Sequence, residues 1–176
     1  VIAEEINYKI SVDSIIRNIT SSTKLILIDN PNNPTGTYLS KNDLNKLLSN
    51  IPNNVIVVID GAYAEYVDNE NYDKGFELIE RFNNLIITRT FSKVYGLAGI
   101  RLGWCYTSRK IASILNKVKP PFNANTVALN IASVALQDSQ HLNRLISENK
   151  RNRKWFEEEL KKLHIKCLSS EANFTF

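Results

Sequence analysis

Three short apolar runs constrain this chain more than any other feature of it. Lys24 to Asp29 reads KLILID and Val55 to Ile59 reads VIVVI. The first reads as a buried strand, and the second, with no alternation of polar and apolar residues, as one buried on both sides. The first stops at a Pro/Asn/Gly cluster, which is strong turn chemistry. Leu85 to Thr88 is a third strand and Leu102 to Tyr106 a fourth. Between the first two, Ser40 caps a helix through Asn50, with Asp43 in the capping-box position and Leu44, Leu47 and Leu48 on one face. A short helix falls around Gly75 to Phe82, before the third strand. Strands alternating with helices imply an α/β fold with a mainly parallel sheet flanked by helices.

From Arg109 the pattern turns helical. The segments are Lys110 to Lys117, Thr126 to Gln137 and Ser139 to Leu163, with the Pro120-Pro121 break after the first. His164 to Leu168 resumes a strand pattern and is expected to open a smaller α+β domain. The expected division is residues 1–137 for a large domain, 138–163 for a long interdomain helix and 164–176 for the start of the small domain.

Composition excludes several classes. With 43% hydrophobic and 23% charged residues the chain is globular rather than disordered. No apolar run approaches membrane-spanning length and no basic leader opens the sequence, so a soluble, cytoplasmic protein without a membrane partner is expected. The formal charge of +4 gathers at Lys150, Arg151, Arg153 and Lys154. Glu157 and Glu158 follow, set to pair with Lys161 and Lys162 at i,i+4. That is a solvated helix face, and nucleic acid is not expected as a partner. Cys105 and Cys167 read as buried small hydrophobes with free thiols. The chain holds no Met, and Asn173 to Phe176 looks like a strand entering a core. We therefore expect an internal, incomplete segment of a longer protein.

Ligands of open α/β sheets bind beyond the carboxyl ends of the strands, where the unusual polar residues of this sequence gather. Asn33 lies in the turn after the first strand. Asp60 ends the second, with Tyr63 just beyond. Thr90, Ser92 and Lys93 follow the third, and Arg101 begins the fourth. Taken singly each has an ordinary reading: a tight turn, a helix cap, a surface lysine, a structural ion pair. No Gly-x-Gly-x-x-Gly and no Gly-Lys-Ser/Thr loop follows a strand, so a dinucleotide or nucleoside triphosphate lacks its cradle. His141 and His164 are isolated, and no metal site is expected.

Together these residues resemble a known family. The strings Asn33-Pro34-Thr35-Gly36, Asp60-Gly61-Ala62-Tyr63, Thr90-Phe91-Ser92-Lys93 and Gly96-Leu97-Ala98-Gly99-Ile100-Arg101-Leu102-Gly103 are similar to those of the fold-type I, pyridoxal-phosphate-dependent aminotransferases, in the same order. The resemblance implies that Lys93 binds pyridoxal 5'-phosphate covalently and moves protons on the substrate. It implies that Asp60 keeps the ring nitrogen protonated. Asn33 and Tyr63 would hold the ring oxygen, and Thr90, Ser92 and Arg101 the phosphate. It further implies an amino donor and a 2-oxo acid as small-molecule substrates, and a homodimer. The loop and aromatic residue that complete the cofactor site, and the arginine for the substrate carboxylate, would lie outside this segment, so the segment alone is expected to be inactive.

Within that family, Asp60 to Tyr66, Arg89 to Lys93, Leu97 to Gly99, Pro120 to Asn125 and Ser170 to Phe174 are most similar to the branch acting on histidinol phosphate. Asn33, Tyr63 and Asn123 are the candidate substrate contacts. An ordinary helix-breaking loop remains an equal reading of Pro120 to Asn125. Enzymes that transaminate aromatic amino acids or decarboxylate threonine phosphate share much of the same text. Transcription regulators that use this domain to bind cofactor without turnover remain the reading of a different class.

Overall fold

A computed structural model describes residues 2–176. The chain begins with a hairpin, β1 (Glu5–Ile6) and β2 (Lys9–Ile10). Asn7 and Tyr8 both take positive φ, 52° and 61°, which is what a two-residue hairpin turn of matching twist requires. Helix α1 (Val12–Arg17) follows, capped by the Ser11 hydroxyl on the Ser14 N–H. These elements go beyond the runs legible in the sequence.

The main sheet has four strands in the order β3 (Leu25–Asp29), β4 (Ile56–Asp60), β5 (Leu85–Thr90) and β6 (Gly103–Thr107). β3, β4 and β5 run parallel, which requires crossover connections. Helix α2 (Lys41–Ser49) lies in the first of these, and its Ser40–Asp43 capping box is present as expected. A 3-10 turn (Ala64–Tyr66) and α3 (Leu78–Arg81) lie in the second. β6 runs antiparallel to β5, with Thr90 opposite Gly103. Helices α4 (Arg109–Val118), α5 (Thr126–Gln137) and α6 (Ser139–Lys162) complete the chain. The core is the apolar face of α2 (Leu44, Leu47, Leu48) set with Val57, Ile59, Leu85 and Ile87 of the sheet and Val12 and Ile15 of α1. A fully buried aliphatic side chain of this kind contributes about 1.5–3 kcal/mol.

The structure corrects five expectations. Among the described residues β3 is an edge strand whose Leu25 and Leu27 are exposed while Ile28 is buried, so the first run is only partly buried there. His164 to Leu168 forms no strand, because no neighbouring strand among the described residues supplies a ladder; the Leu168 N–H reaches the Phe176 carbonyl instead. Residues 173–176 likewise form no strand, and Phe176 is half exposed. The cysteines are not core residues: Cys105 sits exposed on β6 and Cys167 is half-buried in irregular chain, both as free thiols. On α6 the acids pair differently from expectation. Glu157 turns back to Arg153 at 3.8 Å and Glu159 takes Lys162 at 2.7 Å.

Candidate functional site

The parallel strands end at one edge of the sheet, and the reversal of β6 makes its start coincide with that edge. Arg101, just before β6, is thereby brought to the side where β3, β4 and β5 deliver Asn33, Asp60 and Thr90.

The turn after β3 is built around Asn30, which is fully buried. Its N–H donates to the Asp60 carbonyl at 2.8 Å, and its side-chain oxygen accepts from the Leu39 N–H at 2.8 Å. Its carbonyl accepts from the Tyr72 hydroxyl at 2.7 Å. Burial pushes the Tyr72 phenol far above its usual range, so that hydroxyl stays a donor. With the exit from β3 fixed, the turn closes through the Gly36 N–H on the Asn32 carbonyl at 2.8 Å, and Gly36 takes φ +69°. Asn33 then stands exposed and donates from Nδ2 to the Tyr63 hydroxyl at 3.3 Å.

Asp60 is exposed at the end of β4. Its Oδ1 accepts from the Ala62 N–H at 3.0 Å and from the Thr88 hydroxyl at 3.1 Å. Across the register it faces Asp29, whose carboxyl is raised first by burial and then by the Asp60 charge. Beneath this turn lies Arg89, on the same face of β5 as the buried Leu85 and Ile87. Its guanidinium donates to the carbonyls of Thr88 (2.8 Å) and Lys74 (2.7 Å), stands 3.5 Å from Glu65 and lies over the Phe76 ring. Burial pushes the Glu65 carboxyl up, and the charge of Arg89 pulls it partly back.

Lys93 projects from the loop between β5 and β6. Phe91 and Val94 on either side of it are buried and anchor that loop, while Lys93 itself is exposed. Its Nζ lies 5.1 Å from the centre of the Tyr63 ring. The Thr90 hydroxyl accepts the Ser92 N–H at 3.0 Å, which leaves its own proton available. Arg101, at φ 55°, spends Nη1 on the Ala98 carbonyl at 2.8 Å and has no acidic partner among the described residues.

The segment 170–174 packs over the same turn. Ser170 is buried against Gly36, the Glu171 N–H donates to the Gly36 carbonyl at 2.9 Å, and the Phe174 ring stands edge-on to Tyr63 at 5.0 Å. Two α6 side chains clasp it: Asn149 and Arg153 donate to the Ala172 carbonyl at 3.1 and 2.8 Å, and Arg153 also meets Glu171 at 3.2 Å.

Seven of the eight candidate residues therefore gather at one edge. Asn123 stands apart and exposed in the loop between α4 and α5, with no hydrogen bond to the others among the described residues. Sequence reasoning missed the supports beneath the site. Arg89 left a signal, a charge at a core-facing position of an apolar strand; Asn30 left none beyond its turn composition. Among the described residues no group of three His, Cys, Asp or Glu side chains comes together.

The donor set suits a ligand with an aldehyde, a basic ring nitrogen, a ring oxygen and a phosphate: one amine, one carboxylate, an amide–phenol pair, and two hydroxyls with a guanidinium. The family model for aminotransferase class I and II matches residues 2–176. A histidinol-phosphate aminotransferase of Pelagibacter ubique is 42% identical over 174 residues, 99% of this chain and 48% of the relative. One from Cereibacter sphaeroides is 44% identical over 163 residues, 93% of this chain and 45% of the relative. The chain thus spans about half the length of the curated relatives it matches. The crystal structure of histidinol-phosphate aminotransferase from Sinorhizobium meliloti in complex with pyridoxal-5'-phosphate superposes with TM-score 0.88 at 24% identity, over 94% of this chain and 45% of that one. That from Clostridium acetobutylicum gives TM-score 0.86 at 27% identity, over 96% and 51%.

Proposed function

This chain belongs to the class I and II aminotransferases, and from that premise we propose that it is the cofactor-binding part of a pyridoxal-phosphate-dependent transaminase. The observation that carries the reading is the approach of Lys93 Nζ to the Tyr63 ring, 5.1 Å from its centre, beside the Asn33–Tyr63 hydrogen bond and on the edge that holds Asp60. Pyridoxal phosphate, when bound, supplies the electron sink that lets an amino group leave one carbon skeleton for another. Lys93 holds it covalently and shuttles the proton. Asp60 offers its second oxygen to the ring nitrogen while Thr88 and Ala62 fix the first. Tyr63 and Asn33 hold the ring oxygen. Thr90, Ser92 and the unpaired N–H groups of Arg101 form the phosphate end.

The substrates we propose are histidinol phosphate and 2-oxoglutarate, giving imidazole-acetol phosphate and glutamate. The relatives at 42% and 44% identity support this choice. The working protein is proposed to be a cytoplasmic homodimer. No described helix is long and apolar enough to cross a membrane. Val127, Ile131 and Val134 on α5 stand exposed, as a face awaiting a second copy would.

Borohydride reduction of the full-length, cofactor-loaded protein followed by peptide mapping tests the chemistry. The label is expected on Lys93, and a label on another lysine refutes the assignment. Comparing kcat/KM for histidinol phosphate, histidinol and phenylalanine tests the substrate. Histidinol phosphate is expected to lead. A preference for phenylalanine makes the protein an aromatic aminotransferase, and decarboxylation of threonine phosphate changes the reaction class.

A further inference from the structure

We propose that Arg89 is a positioning residue for the Asp60 carboxylate, acting through Thr88 and the Gly61 turn, with Glu65 as its counter-ion. Arg89 does not touch Asp60. Its side chain is 3% exposed, and its Nη1 donates to the Thr88 carbonyl at 2.8 Å. That same carbonyl accepts the Gly61 N–H at 3.1 Å, while the Thr88 hydroxyl donates to Asp60 Oδ1 at 3.1 Å. Thr88 is therefore held at its backbone by Arg89 and holds Asp60 by its side chain. Gly61, directly after Asp60, lies so close that a Cβ there would come within 1.9 Å of Arg89 Nη1. The path of the chain leaving β4 is thus moulded on the guanidinium.

The rest of the guanidinium is fixed independently. Nη2 donates to the Lys74 carbonyl at 2.7 Å, Nε faces Glu65 at 3.5 Å and the Phe76 ring lies 5.3 Å below. A planar fork bound on three sides cannot be replaced by a lysine, whose compact ammonium cannot span the same three separated acceptors. Stability does not account for the pair. Buried ion pairs are often no better than apolar packing of the same volume, and one oxygen of Glu65 is buried without a hydrogen-bond partner. What the pair fixes is geometry at the Thr88–Gly61 junction.

The proposal rests on Asp60 being the partner of the cofactor ring nitrogen, and the experiment separates the two. In the full-length, cofactor-loaded protein, the pH midpoint of the cofactor's visible absorption is measured for Asp60→Asn, Arg89→Lys, Glu65→Gln, the double variant Asp60→Asn/Arg89→Lys, and the core control Leu47→Ala. Loss of the carboxylate removes positive charge from the ring, so Asp60→Asn is expected to raise the midpoint. Arg89→Lys should raise it in the same direction and by less, with kcat lowered about 10- to 100-fold, as small misplacements of a catalytic group do. The double variant should match Asp60→Asn alone, and Leu47→Ala should leave the midpoint in place. Glu65→Gln, which is isosteric, gives a milder route to the same shift if Arg89→Lys does not fold. A midpoint that moves in Asp60→Asn but in neither Arg89→Lys nor Glu65→Gln overturns the positioning role alone, as do additive effects in the double variant. A midpoint unmoved in Asp60→Asn overturns the reading of Asp60 and the proposal with it.

Discussion

Replacing glycines by alanine at three positions should separate backbone strain from the contact that fastens the site. At Gly99 a Cβ meets nothing within 4 Å and φ lies outside the left-handed region, so Gly99→Ala should change stability by less than about 0.5 kcal/mol. At Gly96 the space is equally open but φ is +68°, and a side chain in the left-handed region costs about 1–2 kcal/mol. At Gly36 φ is almost the same, +69°, yet a Cβ would fall 1.9 Å from Ser170 Oγ, 2.4 Å from its Cβ and 2.9 Å from its Cα. Rotating the serine clears the first of these but not the backbone. Overpacking of this kind adds about 1–3 kcal/mol, so Gly36→Ala should lose about 2–5 kcal/mol in all. The assay is equilibrium urea unfolding of the full-length protein, followed by circular dichroism and extrapolated linearly. The difference between Gly36→Ala and Gly96→Ala isolates the Ser170 contact. If the two variants unfold alike within about 0.5 kcal/mol, residues 170–174 are not seated on the turn and the reasoning fails.

Arg153→Met should destabilise by about 1–3 kcal/mol, because it strips one donor from the Ala172 carbonyl and leaves Glu157 and Glu171 without their cation; urea unfolding checks it, and a neutral result would make the clasp superficial. Ser40→Ala should cost about 1 kcal/mol by opening the capping box of α2, measured as a shift in urea midpoint at constant slope. At Asp43 burial opposes ionisation, but hydrogen bonds from Lys9 and Ser40 outweigh it and hold the carboxyl below its usual range. A lowered folded pKa gives stability that is present above the unfolded pKa and lost as the pH falls through the folded one. Asp43→Asn should thus be less stable than the parent at neutral pH, by no more than about 1 kcal/mol at so exposed a group. The two stability curves should converge in acid, and parallel curves would show that Asp43 contributes no pH dependence.

The sequence disclosed what depends on local pattern. The runs Lys24 to Asp29, Val55 to Ile59 and Leu85 to Thr88 fall in three parallel strands, and Ser40 and Asp43 mark the start of α2 by chemistry contained in four residues. The same patterns placed seven candidate side chains on one edge, since strand ends are legible where turns begin. What the sequence hid depends on partners distant along the chain. An apolar run looks alike whether one face or two will be covered, so the exposed Leu25 and Leu27 of β3 could not be told from the buried residues of β4. His164 to Leu168 has a strand-like pattern, yet a strand is a relation between two segments and none pairs with it among the described residues. Arg89 was read as part of a motif string; only the fold shows Thr88, Lys74 and Glu65 arranged around it.

The seating of Ser170 and Phe174 on the Gly36 turn and Tyr63 has a bearing on how such a protein matures on the ribosome. Synthesis proceeds at about 5–20 residues per second, so the turn emerges well before the segment that locks it. During that interval the Asp60–Thr88–Arg89 assembly can close from chain already made, since the contacts that join these three residues to one another, to Lys74 and to Glu65 fall between Asp60 and Arg89. The Asn33–Tyr63 corner cannot, because its cover is still untranslated. The two ends of the candidate site are therefore completed at different times, and the end that holds Asn33 and Tyr63 is the later. A nascent chain released before Ser170 would carry the Asp60 carboxylate in order beside a corner left unfastened, with Ala172 still missing from the cluster that buries Val94 next to Lys93.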